Sequence, residues 1–138
     1  MIKNIRHSGI VARDLTKTYN FYLGLGFNAV SDEQERGKFI DTILGLDNCE
    51  VRTIKMKCGN QMIELLEYKN PKSEDFTKRV NSIGCSHLAL TVNDVQSLYE
   101  DLVGTGVEFV NPPFSNGKVK VAFCKDPNDV YLELVEEL

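Results

Sequence analysis

The chain has 138 residues, of which 42% are hydrophobic, so it has the size and composition of one ordinary domain with a packed core. Its 16 basic and 20 acidic side chains give a formal charge of −4, which provides no net positive field to draw it onto nucleic acid or anionic lipid. Four dispersed cysteines without a C-x-x-C pair favour reduced thiols, and no segment has the apolar length of a signal peptide or a membrane span. We therefore expect a cytoplasmic protein whose partners include neither nucleic acid nor a membrane.

The first segment of the chain is repeated later in the sequence. Residues 5–27 align without a gap on residues 85–107, and the only two histidines, His7 and His87, coincide. In this register five of the 23 aligned positions are identical; the other four pairs are Asp14 with Asp94, Tyr19 with Tyr99, Gly24 with Gly104, and Gly26 with Gly106. Repetition of this kind indicates two tandem copies of one structural unit.

A second block confirms the repeat and supplies matched acidic residues. QMIELLE at 61–67 aligns on VYLELVE at 130–136, which pairs Glu64 with Glu133. The same alignment pairs Glu67 with Glu136. Because these last two lie near strand ends, we expect them to be solvated.

The elements of each module follow the same order. A strand comes first, in IRHSGIVA or SHLALTV, and a helix with three- and four-residue apolar spacing follows. Asp14 and Asp94 are the expected helix N-caps, and Gly24 and Gly104 mark the helix ends. Extended segments then predict strands: EVRTIKMKC and QMIELLEY in the first copy, and VEFV, KVKVAFC and VYLELVEE in the second.

The chain is thus predicted to be a single domain over residues 1–138. Module one spans about 1–69, a linker helix capped by Ser73 spans about 70–84, and module two spans about 85–138. Residues 31–47 begin with a polar stretch and end with helical apolar spacing. They predict an inserted helix that covers either the site or a partner surface.

Four side chains on these strands are candidate metal ligands. Strand residues alternate between two faces, and the neighbours of His87, Glu64 and Glu133 on the opposite face are apolar. The two histidines and two glutamates should therefore point away from the core. Paired charges that are partly buried are costly without a cation. We predict a site for one divalent ion, Zn, Ni, Co, Mn or Fe, with His7, Glu64, His87 and Glu133 as ligands.

Other polar residues are weaker candidates. Four basic side chains could meet an anionic substrate group, although charged strand residues usually face solvent: Arg36, Arg52, Lys118 and Lys120. Cys85 shares the strand parity of His87 and could lie near the metal, but a small buried thiol is the commoner arrangement.

Several segments carry a family resemblance. IRHSGIVARDL…FYLGLGF, MIELLEY, CSHLALTVNDV and DPNDVYLEL resemble the vicinal oxygen chelate superfamily, which includes glyoxalase I, extradiol dioxygenases and bleomycin resistance proteins. The resemblance covers essentially the whole chain. It implies an α+β fold in which two βαβββ modules form a cupped, incomplete mixed β-barrel with helices on the outer face. It also implies one ligand from the first and one from the last strand of each module.

The resemblance also implies a function. The His/Glu/His/Glu set is most similar to glyoxalase I-like metal-dependent lyases, which favours a lyase or isomerase acting on a small substrate that chelates the metal through neighbouring oxygens. The reaction would proceed by proton abstraction and an enediolate, with Glu133 favoured over Glu64 as the base. The alternatives are an extradiol-type dioxygenase, an acyl-CoA epimerase, and a non-catalytic binding protein of the antibiotic-binding type. The resemblance implies a homodimer, in which one chain or two could supply the ligands of one metal.

Overall fold

A computed structural model describes residues 1–138. The chain divides into two compact units, Met1–Phe76 and Thr77–Leu138. No helix in either unit combines the length and the apolar character that crossing a membrane requires.

The first unit consists of one four-stranded sheet and two helices. Its strand order is β1-β4-β3-β2, with β1 parallel to β4 and the other pairs antiparallel. In chain order the elements are β1 (Ser8–Val11), α1 (Leu15–Gly24), β2 (Asn28–Arg36), α2 (Lys38–Leu44), β3 (Glu50–Cys58) and β4 (Gln61–Asn70).

The second unit repeats this topology with one helix. Its strand order is β5-β8-β7-β6, with β5 parallel to β8. Its elements are β5 (His87–Thr91), α3 (Val95–Gly104), β6 (Phe114–Ser115), β7 (Val119–Lys125) and β8 (Tyr131–Glu137). The α+β class and the order strand, helix, three strands are therefore confirmed in both copies, and α2 is the helix inserted in the first.

The predicted helix caps are present in both units. Asp14 has an extended backbone, and its carboxylate accepts a hydrogen bond from Lys17 N. Amides in the first turn of a helix have no acceptor within the helix, so this bond supplies one. Asp94 does the same for Ser97 N. In both units the helix therefore begins at the residue after the capping aspartate, a few residues beyond the first strand.

Helices α1 and α3 each cover one face of their own sheet, while Ile40 of α2 packs near Leu66 on the other face of the first sheet. In the first unit Leu15 of α1 and Leu65 of β4 are 1% and 0% exposed, and in the second Val95 of α3 and Leu134 of β8 are both 0% exposed. Leu65 and Leu134 are the expected apolar neighbours of Glu64 and Glu133. Since strand side chains alternate, the glutamates lie on the face that α1 or α3 leaves uncovered.

The linker between the two repeats is not a helix. Residues 71–86 contain turns but no helical segment, so the helix predicted for 70–84 is wrong. Residues 71–81 are exposed throughout, and a short helix without a buried face gains too little packing to be stable. Asp75 instead forms a two-pronged ion pair with Arg13, in which the Nη2–Oδ1 distance is 2.8 Å.

Two other segments differ from expectation. The predicted strand at 107–110 makes only one isolated bridge, between Phe109 and Cys124, and the regular edge strand is β6. Pro112 and Pro113 follow after one residue and have no N–H to continue a ladder. In the first unit the polar residues after Phe27 form the nine-residue edge strand β2, which the sequence alone does not distinguish from a loop.

Candidate metal-binding site

His7 and Glu64 meet in the first unit. Gly9 of β1 lies opposite Glu64 of β4, and His7, two residues before Gly9, projects from the same face. The distance from His7 Nε2 to Glu64 Oε2 is 3.0 Å, and their side chains are 27% and 15% exposed. The parallel pairing of β1 with β4 thus brings the two predicted ligands of module one together.

His87 and Glu133 meet in the same way in the second unit. Ala89 of β5 lies opposite Glu133 of β8, again two residues beyond the histidine. The distance from His87 Nε2 to Glu133 Oε2 is 3.2 Å. Ser86 Oγ hydrogen-bonds to Nδ1 of the same ring, which fixes its orientation. The repeat seen in the sequence is therefore also a repeat of side-chain geometry.

These distances fit neighbouring positions around one cation. With metal–ligand bonds of about 2.1 Å, two ligand atoms lie about 3.0 Å apart at a right angle and about 3.4 Å apart at a tetrahedral angle. A simple His–Glu hydrogen bond has a similar length. Within either unit no third His, Cys, Asp or Glu side chain completes a metal-binding cluster. Each unit therefore provides a pair of donors.

The Nδ1 atoms of the two histidines have different surroundings. Metal-binding histidines usually engage the second ring nitrogen with another group. His87 Nδ1 has Ser86 as that partner, whereas His7 Nδ1 is buried and has no hydrogen-bond partner. The donor atoms of both pairs suit a divalent cation, but the second module holds its histidine more firmly.

The two pairs have different neighbours on the adjacent strand. Lys55 of β3 lies opposite Glu64, and its Nζ is 3.6 Å from Glu64 Oε1. In the second unit Phe123 of β7 lies opposite Glu133, and its ring meets the His87 ring edge-to-face at 5.3 Å. Glu64 thus has a side-chain nitrogen near each oxygen, from His7 and from Lys55, while Glu133 has His87 at one oxygen and no lysine or arginine in contact. Sequence reasoning did not single out Lys55 or Phe123, because only the strand register places them here.

The second matched glutamate pair has a structural role. Glu67 Oε1 accepts a hydrogen bond of 3.1 Å from Leu15 N at the start of α1. Glu136 Oε2 accepts one of 2.9 Å from Val95 N at the start of α3. The expectation that these residues are merely solvated is therefore wrong. Each lies on the helix-covered face and supplies the second cap of its helix, where a negative charge is favourable.

Two of the weaker candidates, Arg52 and Lys120, lie on the helix-covered sides of their sheets. Arg52 lies opposite Glu67 and forms two hydrogen bonds with Asp32, which lower the pKa of that carboxyl. Lys120 Nζ is 3.7 Å from Glu136 Oε2, on the helix-covered side of β8. Three further residues, which include a thiol expected to be buried, are exposed: Arg36, Lys118 and Cys85.

Comparison with known proteins identifies the family. The profile of the Glyoxalase/Bleomycin resistance protein/Dioxygenase superfamily matches residues 4–134. The chain belongs to this superfamily. The resemblance found in the sequence segments is thus confirmed over nearly the whole chain.

Relatives and solved structures agree with this assignment. The chain is 28% identical to the uncharacterized protein YwkD of Bacillus subtilis over 99% of both proteins. A glyoxalase family protein from Bacillus cereus superimposes with a TM-score of 0.93 at 22% identity, covering 100% of this chain and 96% of that one. FosX, a fosfomycin resistance protein from Listeria monocytogenes complexed with Mn(II) and sulfate, superimposes with a TM-score of 0.69 at 16% identity, covering 100% and 95%. At these identities the two structures show that the fold is shared.

Proposed function

We propose that this superfamily member is a divalent-metal-dependent lyase or isomerase of the glyoxalase type. The observation that supports it is the presence of the same His/Glu pair, at 3.0 and 3.2 Å, in both modules. The matched Glu67 and Glu136 caps show that structural hydrogen bonds also recur in this repeat, so the argument for a cation comes from the donor types, an imidazole nitrogen and a carboxylate oxygen in each pair. FosX, which shares the fold, is complexed with Mn(II), so the fold accommodates a divalent ion.

One pair alone is too small a ligand set. Catalytic zinc sites usually have three protein ligands and one open position, and other divalent ions take more ligands. Since each unit provides two donors, we propose that His7, Glu64, His87 and Glu133 serve one cation. One or two coordination positions then remain for neighbouring oxygens of a substrate. When bound, the cation would lower the energy of negative charge on those oxygens.

The protein side chains would move the proton. A carboxylate that accepts a proton from carbon has to leave its ligand position, and Glu133 is better suited to do so. Glu64 is held by His7 at one oxygen and by Lys55 at the other, whereas Glu133 contacts only His87 among the basic side chains. We therefore assign Glu133 as the base and Glu64 as the fixed ligand.

Metal analysis tests the site directly. Protein purified without chelator should contain one equivalent of a divalent metal, and His7→Ala and His87→Ala should each lower that content. Glu137→Gln, an exposed change on the same strand as Glu133, is the control and should retain it. Failure to bind stoichiometric metal from any of the five ions would favour the non-catalytic binding protein instead.

Activity on defined substrates tests the reaction. The loaded protein should convert a hemithioacetal more readily than an acyl-CoA thioester or a catechol. Oxygen uptake that depends on catechol and iron would establish the dioxygenase instead, and racemisation of the thioester would establish the epimerase.

Two glutamine variants separate base from ligand. Glu133→Gln should lose turnover and keep some metal, while Glu64→Gln should lose more metal. If Lys55 restrains Glu64, adding Lys55→Met to Glu133→Gln should restore part of the turnover, because Glu64 is then free to move. Unchanged turnover in Glu133→Gln would exclude this residue as the base.

We further propose a homodimer as the working form. Light scattering should give twice the chain mass. If one metal takes its pairs from two chains, mixing His7→Ala with His87→Ala would form heterodimers with one intact site and recover activity. If both pairs of one site come from the same chain, the mixture would stay inactive.

A further inference from the structure

The turn between β6 and β7 contains an asparagine followed by a glycine, Asn116 and Gly117. No other asparagine in the chain precedes a glycine. The side-chain carbonyl carbon of an asparagine can close a small ring with the next backbone nitrogen, and a glycine there has no side chain to obstruct the approach. Both residues are exposed, and no neighbouring atom comes within 4 Å of the position that a side-chain carbon of Gly117 would take. Water therefore reaches this turn.

The backbone of the turn polarises the Asn116 side chain. Its Oδ1 accepts hydrogen bonds from Lys118 N at 2.9 Å and from Val119 N at 3.1 Å. Two N–H donors on one carbonyl oxygen stabilise the negative charge that develops there when a nucleophile attacks the carbon, as in the oxyanion holes of acyl-transfer enzymes. The Cγ atom of Asn116 is thus prepared for nucleophilic attack.

The preceding hydroxyl contacts the nucleophile. Gly117 N donates a hydrogen bond of 3.0 Å to Ser115 Oγ. An amide nitrogen becomes nucleophilic when it loses its proton, and a hydroxyl that already accepts this N–H is placed to pass the proton to water. Gly117 has a φ of +88°, which glycine adopts without strain, so the turn maintains this arrangement.

We propose that Asn116 is a site of spontaneous deamidation promoted by its own turn. Gly117 N loses its proton through Ser115 Oγ to water, and its electron pair forms a bond to Asn116 Cγ. The bond from Cγ to Nδ2 then breaks, and its electron pair leaves with ammonia, which takes up the proton. Water opens the resulting cyclic imide at either carbonyl, which gives aspartate or isoaspartate. The reaction consumes only water and is independent of the proposed metal site.

The two products differ in their effect on the sheet. An aspartate retains a side-chain oxygen for Lys118 N and Val119 N, so the turn persists. An isoaspartate adds one carbon to the backbone and disturbs the 3.2 Å bond from Asn116 N to Val119 O that closes the turn. Strand β6 has only two residues, whose partners are Val121 and Lys120, so little else holds it to β7. Isoaspartate should therefore release β6, and aspartate should not.

Incubation of the full chain at mildly alkaline pH, followed by peptide mass spectrometry, tests the reaction. Exchange of an amide for a carboxyl group should appear at residue 116 as both aspartate and isoaspartate, with an equal amount of ammonia released. Asn81 is exposed and precedes the small residue Ser82, so it is the internal reference. It should react at least about tenfold more slowly, because no such turn assists it. Unfolding in urea should slow Asn116 by a similar factor.

Substitutions separate the contributions of the turn. Ser115→Ala should slow the reaction about fivefold, because one hydrogen bond of an exposed turn is lost. Ser115→Thr keeps the hydroxyl and should restore the parent rate. Ser82→Ala removes a hydroxyl from the linker and should leave the rate at residue 116 unchanged. Asn116→Gln should be stable, because its longer side chain would have to close a larger ring.

Several outcomes would overturn the proposal. These are a rate at Asn116 in the folded protein no higher than in urea, an unchanged rate in Ser115→Ala, and formation of aspartate without isoaspartate, which would indicate direct hydrolysis of the side chain. Amide hydrogen exchange tests the structural consequence. The amide of residue 116 should exchange faster in the isoaspartate form than in the Asn116→Asp variant, which carries the same charge on an unaltered backbone. Equal exchange in the two would contradict the release of β6.

Discussion

The second cap of each helix gives a quantitative prediction. Leu15 N, the first amide of α1, donates to Glu67, and Leu15 is 1% exposed, so water cannot readily replace a lost acceptor. A buried donor left without its partner costs about 1–3 kcal/mol. We expect Glu67→Ala to lower the free energy of unfolding by that amount. Glu67→Gln retains an acceptor and loses the charge at the helix terminus, so it should cost about 0.3–1 kcal/mol.

Amide hydrogen exchange can localise this effect. Glu67→Ala should accelerate exchange at Leu15 N and leave Val95 N unaffected, whereas Glu136→Ala should do the reverse. Urea unfolding followed by circular dichroism measures the total cost, with Glu137→Ala as the exposed control, expected within about 0.5 kcal/mol of the parent. The capping argument would be refuted if Glu67→Ala lowered the free energy of unfolding by no more than the Glu137→Ala control does. It would also be refuted if Glu67→Ala and Glu67→Gln lowered it equally.

Three further predictions concern thiols, acid stability and the core. A thiol reagent at pH 8 should label two cysteines in the native protein and four after denaturation, since burial raises the pKa of Cys124 to about 11; labelling of more than two would contradict the burial. Hydrogen bonds from the Ser97 backbone and hydroxyl lower the pKa of Asp94 from 3.8, so its stabilisation is present above that value and is lost as pH falls through the folded pKa. Asp94→Asn should therefore lower stability at pH 7 and flatten its acid decline; parallel pH curves would contradict this. Leu134→Ala, at a fully buried position, should cost about 2–5 kcal/mol in urea unfolding, and Leu138→Ala, at a position 62% exposed, should cost little.

The sequence predicted the features that depend on local chemistry and on repetition. An acidic N-cap and a terminal glycine define each helix locally, so α1 and α3 were placed correctly by Asp14 and Asp94. The matched histidines and glutamates followed from the repeat. Within each unit the structure brings each histidine to its own glutamate, while the combination of all four on one cation stays a prediction.

Features that depend on tertiary pairing could not be predicted. The linker at 70–84 has helical composition but no surface to pack on, so composition alone was misleading. The neighbours Lys55 and Phe123 become relevant only once β3 and β7 are aligned with β4 and β8. Glu67 and Glu136 were matched from the sequence, but their partners are amides distant along the chain.

The spacing of the two glutamates on the last strand of each module has a consequence for engineering. Glu64 and Glu67 are three residues apart and therefore face opposite sides of β4, where one meets a histidine and the other a helix terminus. Inserting one residue between them would turn one of the two to the wrong side. Side-chain substitutions can alter the histidine contact or the helix cap separately. A one-residue change in the length of this segment would instead lose one of the two contacts. The same constraint applies to Glu133 and Glu136, so loop grafts should leave both strands at their present length.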